Sequence, residues 1–196
     1  MEKKYKTGLK IGALLIAVVL VVLFFQRYST KAYSPEDIVV YEEDNLELEV
    51  FYNRPFKKER VIFGELVPYG EVWRTGANEA TTFTTNQDLM VDGSLLAAGK
   101  YTLWTIPGAE TWKVIFNSKM YPWGIDSDKK AYRDPEFDAL VLEVPAARIN
   151  DKIEQFSIYF ERSNDLVLFN LAWDDTVVTL PIQTAKEAQD ALLSIN

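Results

Sequence analysis

The densest grouping of residues able to do chemistry lies in residues 63–80, Phe-Gly-Glu-Leu-Val-Pro-Tyr-Gly-Glu-Val-Trp-Arg-Thr-Gly-Ala-Asn-Glu-Ala. Turn-forming Gly64, Gly70 and Gly76 are interleaved there with Tyr69, Trp73, Arg74, Asn78 and Glu79. An Arg guanidinium pairs with a carboxylate or phosphate, Asn and Glu bond hydroxyls, and Trp and Tyr offer faces for stacking. Just upstream, Arg54, Lys57, Lys58 and Arg60 cluster around Pro55. This basic set either borders the same pocket or is a solvated loop. Arg54, Arg60, Tyr69, Trp73, Arg74, Asn78 and Glu79 are therefore the candidate ligand-binding residues. A structural reading competes: Arg74 pairs with Glu79, Trp73 belongs to the core and Gly76 serves a bend.

Much other chemistry is closed to this chain. Its 196 residues contain neither His nor Cys. That removes disulfides, a thiol nucleophile, a lipid-modified cysteine, the usual zinc ligands and the usual general base at neutral pH. A Ser–His–Asp triad is impossible, and there is no G-x-S-x-G elbow, P-loop or G-x-G-x-x-G. Asp126-Ser127-Asp128 starts like an oxygen-rich Ca²⁺ loop but lacks the following Gly and the distal Glu. Asp174-Asp175 fits a β-turn better than a ligand pair. No metal and no cofactor is expected. A glycosidase-type pair of carboxylates would have to be assembled by the fold, and no spacing nominates one.

The elements that must position these residues are mostly strands. Residues 45–53 alternate, with Leu46, Leu48, Val50 and Tyr52 on one face. Residues 80–85 are Thr-rich, a strand-favouring composition. Residues 89–91 and 94–96 flank Asp92-Gly93, a strong hairpin signal. Residues 100–106 form a strand closed by Pro107-Gly108, with 111–116 as its partner. Strands at 137–144, 153–161, 166–173 and 176–182 follow, the last three separated by turn-like Ser163-Asn164-Asp165 and Asp174-Asp175. About nine short strands without alternating helices predict an all-β fold, an antiparallel β-sandwich of Greek-key or jelly-roll type. Tyr101, just after Gly99 at a strand entry, has the placement of a tyrosine corner. Residues 117–135 form one long irregular stretch, and loops of that length tend to be functional or mobile. At the C-terminus, Thr184 and Glu187 have capping-box spacing, and Ala185, Ala188, Leu192 and Ile195 share a helical face.

The N-terminus has a different character. Residues 11–25 are an uninterrupted apolar run of 15 residues, below the roughly 20 that a spanning helix needs. Gly8 and Leu9 extend it, and Lys10 can snorkel toward headgroups. Four lysines precede the run, against Arg27 and Lys31 after it. The positive-inside rule then keeps the N-terminus cytoplasmic and sends the rest across. Phe24-Phe25-Gln26-Arg27-Tyr28 offers no small-residue cleavage site, so the segment reads as a retained anchor rather than a cleaved signal peptide. The first 31 residues carry six basic side chains and Glu2, a net +5, which leaves −13 for the remainder of a chain of formal charge −8. An acidic domain is a poor partner for nucleic acid or for an anionic membrane surface. The expected organisation is 1–31 as lysine-rich start and transmembrane anchor, 32–37 as linker, 38–183 as β-sandwich and 184–196 as C-terminal helix.

Tyr52-Asn53-Arg54-Pro55, Arg60-Val61-Ile62-Phe63-Gly64 and above all Leu66 through Thr81 resemble the domain of unknown function 2911 family. So do Ala98-Gly99-Lys100-Tyr101-Thr102-Leu103, Thr105-Ile106-Pro107-Gly108, Trp112-Lys113-Val114-Ile115-Phe116-Asn117 and Trp123-Gly124. The similarity covers about residues 38–182. It implies a secreted or envelope protein, chiefly of Bacteroidetes-type bacteria, and no established reaction, substrate or catalytic residue. The sequence departs from the family pattern at Asn53, where Ser is usual, and at Glu59, where Gly is usual. A plain signal peptide is also commoner in the family than an anchor.

These readings give three functional expectations. The first is a membrane-anchored, non-catalytic module outside the cytoplasm that binds a small polar ligand or glycan. The second is an envelope scaffold that contacts a protein partner through the sheet or the C-terminal helix. The third is a hydrolase working through carboxylates and Arg in residues 63–80.

Overall fold

The apolar run of residues 11–25 sits inside one long helix, α1 (Glu2–Tyr33). Its segment Lys10–Tyr33, 24 residues with a mean hydropathy of 2.2, is long and apolar enough to cross a membrane, and none of its described side chains is buried in the protein. At ~1.5 Å per residue the segment reaches about 36 Å, enough for ~30 Å of hydrocarbon. The apolar run alone is too short, and the length comes from the polar-flanked extension that follows it. The computed structural model describes residues 2–194, and of these all side chains except those of residues 2–7, 9, 25–28 and 194. The side chains of Lys3, Lys4, Lys6 and Arg27, and Ile195 altogether, lie outside the described residues.

Residues 32–37 do not form a free linker. The helix continues through Tyr33, Ser34 and Pro35 turn the chain, and β1 (Glu36–Glu43) begins at once. The remaining strands are β2 (Leu46–Asn53), β3 (Thr82–Thr85), β4 (Leu89–Val91), β5 (Ser94–Leu96), β6 (Gly99–Ile106), β7 (Thr111–Asn117), β8 (Asp138–Ser163) and β9 (Leu166–Thr184), followed by α2 (Ala185–Ser194). The named strands pair antiparallel throughout, in the order β1-β2-β3-β6-β7-β8-β9-β4-β5.

The sheet folds over on itself at β8. Residues from Asp138 to Pro145 pair with β7, and those from Ala146 onward pair with β9. The two layers then face each other. Phe83 of β3 meets Phe169 of β9 with ring centroids 5.4 Å apart, and Tyr52 of β2 meets Phe156 of β8 at 5.7 Å. Leu48, Val50, Leu103, Val114, Leu171 and Leu180 are completely buried between the layers. At about 25 cal/mol per Å² of apolar surface, each such side chain stabilises the fold by roughly 1.5–3 kcal/mol. The sandwich is therefore the expected one, with one correction. The four short strands expected at 137–144, 153–161, 166–173 and 176–182 are two long bent ones. Asp174 takes a left-handed φ of 53° opposite register shifts at Arg148, Ile153 and Ser157. Such bulges bend a strand without ending it, so Asp174-Asp175 is a bend inside β9 rather than a turn between strands.

Local signals are realised closely. Asp92-Gly93 joins β4 to β5, with φ of 46° and 76°. The Tyr101 hydroxyl donates to the Ala97 carbonyl at 2.8 Å. Thr184 and Glu187 form a reciprocal capping box: the Glu187 carboxylate accepts from Thr184 N–H at 2.8 Å, and Thr184 Oγ1 accepts from Glu187 N–H at 3.1 Å. On α2 itself, Leu192 is 67% exposed, so the expected apolar face is only partly packed.

Candidate functional site

The segment between β2 and β3 leaves the sheet as Arg54 and returns at Thr82, and it carries all seven candidate residues. It is hung on β6 by backbone bonds. Trp73 N–H donates to Thr105 O at 2.8 Å, Thr105 N–H returns to Trp73 O at 3.0 Å, and Leu103 N–H donates to Thr81 O at 2.8 Å. Between these ties the chain turns through left-handed Thr75 (φ 54°) and Asn78 (φ 54°). A β-branched residue at positive φ is rare and strained. Thr75 is held there by burial and by hydrogen bonds from Thr81 Oγ1 to its carbonyl (2.7 Å) and from its hydroxyl to Thr105 Oγ1 (3.2 Å). Gly76 has a φ of 152°, and a Cβ there would stand 2.9 Å from Asn53 O.

Trp73 is a core residue. It stacks on Trp173 (6.0 Å, 18°) and meets Trp112 and Phe156 edge-on, while its indole N–H donates to Gly76 O at 3.0 Å. Only 9% of it is exposed. That edge, with Trp173, forms part of the wall of a cleft of about 510 Å³, a size typical of small-molecule sites. Leu66, Val67, Pro68, Val72 and Ile125 add to its apolar surface. Four cations line it, Lys58, Arg60, Arg74 and Lys129, against one carboxylate among the described residues, Glu71.

The seven candidates separate into three groups. Arg60, Trp73 and Arg74 line the cleft. Asn78 and Glu79 lie behind it in a polar network around Asn53, which is fully buried. Asn53 Nδ2 donates to Glu79 Oε2 at 3.1 Å, and Asn78 Nδ2 donates to Asn53 Oδ1 at 3.3 Å. Arg54 and Tyr69 are elsewhere. Arg54 ties the two layers, donating to Phe156 O at 3.2 Å and Ser157 Oγ at 3.0 Å and pairing with Asp37 at 3.1 Å. Tyr69 is exposed, and its hydrogen bond, ahead of that from Asp175, raises the pKa of the Arg148 guanidinium.

Arg74 does not reach the cleft as a free charge. Its Nη1 donates to Asn78 O at 2.8 Å and to Trp123 O at 2.9 Å. Burial lowers its pKa from the ordinary value, and the nearby Glu79 carboxylate partly offsets this. The bond to Trp123 fastens the irregular stretch after β7 to the site. Gly124 lies flat on Trp104, where a Cβ would come within 2.4 Å of the indole, and Asp126 Oδ1 caps the next turn by accepting from the N–H groups of Asp128 and Lys130. This closure carries Ile125, Lys129 and Ala131 into the cleft wall. Lys129 was not among the sequence candidates. Nothing in its neighbourhood marks it, because it is brought in by the fold of that loop.

The end of α1 reaches the same place. Tyr33 and Ser34 line the cleft. Lys31 bonds Glu36 and lies 3.7 Å from Glu79, Asn78 Nδ2 donates to Ser34 O at 3.3 Å, Arg54 N–H donates to Pro35 O at 2.8 Å, and Lys58 sits 4.9 Å over the Tyr33 ring. The network behind the cleft is thus also the socket in which the helix ends.

The sequence model of one protein family, described as Protein of unknown function (DUF2911), matches residues 34–182. The chain belongs to the DUF2911 family. No curated protein and no solved structure matches it. The match begins at Ser34, where the helix gives way to the domain, and takes in every residue of the cleft except Tyr33. The two positions at which the sequence departs from the resemblance, Asn53 and Glu59, behave differently in the fold. Asn53 bonds both Asn78 and Glu79, which the single shorter hydroxyl of a Ser would do less completely. Glu59 causes no strain: the left-handed residue of that turn is its neighbour Lys58, with φ 53°.

Proposed function

We propose that this DUF2911 protein is a membrane-anchored, non-catalytic module that binds a small polar ligand or glycan, preferentially an anionic one, in the cleft beside Trp73. α1 is read as the retained anchor, with the lysine-rich N-terminus in the cytoplasm and the sandwich on the periplasmic or extracellular side. The observation that carries the reading is the cleft itself: Lys58, Arg60 and Lys129 gathered beside the edge of Trp73 in a domain whose charge is otherwise strongly negative. Cations beside apolar and aromatic walls suit a ligand with an acidic group and a ring or aliphatic body. The hydrolase reading has less support. Glu79, the acid it would use, lies outside the cleft lining in the Asn53 network, and Glu71 alone supplies a carboxylate among the described lining residues. Acid–base work of the glycosidase type takes two.

A thermal-shift panel of neutral glycans, acidic glycans and small organic acids or phosphates on the full-length protein in detergent tests the reading. At least one acidic compound should raise Tm, and the shift should disappear in Arg60→Gln. No shift across the panel, or an equal shift in the variant, contradicts it.

A further inference from the structure

Three of the cleft cations have no acidic partner. Among the described residues, no carboxylate lies within ion-pair distance of the Lys58, Arg60 or Lys129 side chains. Two Arg60 nitrogens are occupied by the carbonyls of Phe56 and Lys57, which fix the guanidinium in place without neutralising it. Glu154 lies near this turn, but its carboxylate accepts the Lys58 backbone N–H at 2.7 Å and it does not line the cleft. Uncompensated cations gathered at one concavity favour an anion, and a guanidinium with two ammoniums suits phosphate.

The place of the cleft narrows the source of that anion. Tyr33 lies eight residues beyond Phe25, the end of the apolar run. It also ends the 24-residue segment Lys10–Tyr33, whose ~36 Å exceed ~30 Å of hydrocarbon by about 6 Å, a height within a headgroup layer of roughly 5–8 Å. The cleft therefore opens where headgroups meet water. Its wall also holds apolar residues that face solvent: Leu66 is 44% and Ile125 38% exposed. A free inorganic anion gains nothing from such surface, whereas an amphiphile gains from both parts of the site.

We infer that the cleft at the foot of α1 binds a phosphate-bearing anionic amphiphile of the membrane surface. Lys58, Arg60 and Lys129 hold its phosphate, and Leu66, Pro68 and Ile125 cover the first part of its apolar chain. The inference rests on the reading of α1 as an anchor and of the cleft as a binding site.

The test uses full-length protein in a non-ionic detergent and follows Trp fluorescence, since Trp73 and Trp173 line the site. Short-chain phosphatidylglycerol, short-chain phosphatidylcholine and glycerol 3-phosphate are titrated into the wild type and into Lys58→Gln/Lys129→Gln. Both positions already tolerate positive φ with a long side chain, so Gln leaves the backbone as it is; an unchanged unfolding midpoint confirms the fold. The anionic lipid should bind saturably, about tenfold or more tighter than either other compound, and the double variant should lose that margin. Equal affinity for glycerol 3-phosphate identifies a free anion as the ligand and overturns the lipid source, with the binding-module reading intact. Equal affinity for phosphatidylcholine, or an unaffected double variant, overturns the role of the cations. No response to any of the three overturns the inference, and the thermal-shift panel then judges the module reading separately.

Discussion

At the scale of single residues, the site depends on a backbone that few side chains can follow. Gly76 occupies a φ that favours glycine, and its missing Cβ leaves room for the Asn53 carbonyl and the Thr81 hydroxyl. Gly76→Ala places a methyl 2.9 Å from Asn53 O. The backbone contact cannot rotate away, so the loop must shift. The variant should lose about 2 kcal/mol of stability, a fall in Tm of about 5 °C for a domain of this size, read by thermal unfolding. A Tm within a degree of wild type would show that the turn has slack. Much of this was hidden in the sequence. Residues 63–80 stand out by composition, but composition does not say which side chains turn inward. Arg74 and Asn78 were candidates for ligand contact, and both are occupied with carbonyls. Lys58 stood out only as part of a basic set, and Lys129 not at all, because their juxtaposition depends on two loops far apart in the chain.

At the scale of elements, the two layers are tied by side chains that cross between them. Tyr52 on β2 is the clearest case. Its hydroxyl accepts from Ile158 N–H at 2.9 Å and faces Ile158 O at 3.5 Å on β8. Burial is the main cause of its raised pKa; the Ile158 backbone and Arg54 lower it and Asp37 raises it again. The folded state thus favours the neutral phenol. That contribution is complete below the unfolded value of about 10 and is lost as pH rises from there through the folded value. Tyr52→Phe should be about 1 kcal/mol less stable than wild type near neutrality. Above about pH 10 the wild type should lose stability more steeply, so that the two denaturation curves converge. Parallel pH profiles would show that Tyr52 is not the titrating tie. Elements specified by neighbours in sequence were legible: the Asp92-Gly93 hairpin and the Thr184–Glu187 cap need only local geometry. The fusion of four expected strands into β8 and β9 was not. Asp174 resembles a turn residue in sequence, and only pairing with the distant β8 turns its left-handed φ into a bend.

At the scale of the whole molecule, α1 and the sandwich meet at the cleft. Lys31, Tyr33, Ser34 and Pro35 are all engaged by residues of the segment between β2 and β3 or by β1, and the same segment lines the cleft. The helix end therefore fixes where the cleft faces, and the positive charge of that face contrasts with the negative domain around it. Native mass spectrometry of the full-length protein, extracted from membranes with a mild detergent, tests this most directly. The wild type should carry a near-stoichiometric adduct whose fragmentation releases an anionic, phosphate-bearing molecule, and Lys58→Gln/Lys129→Gln should lose it. Bare protein, or the same adducts on wild type and variant, would contradict it.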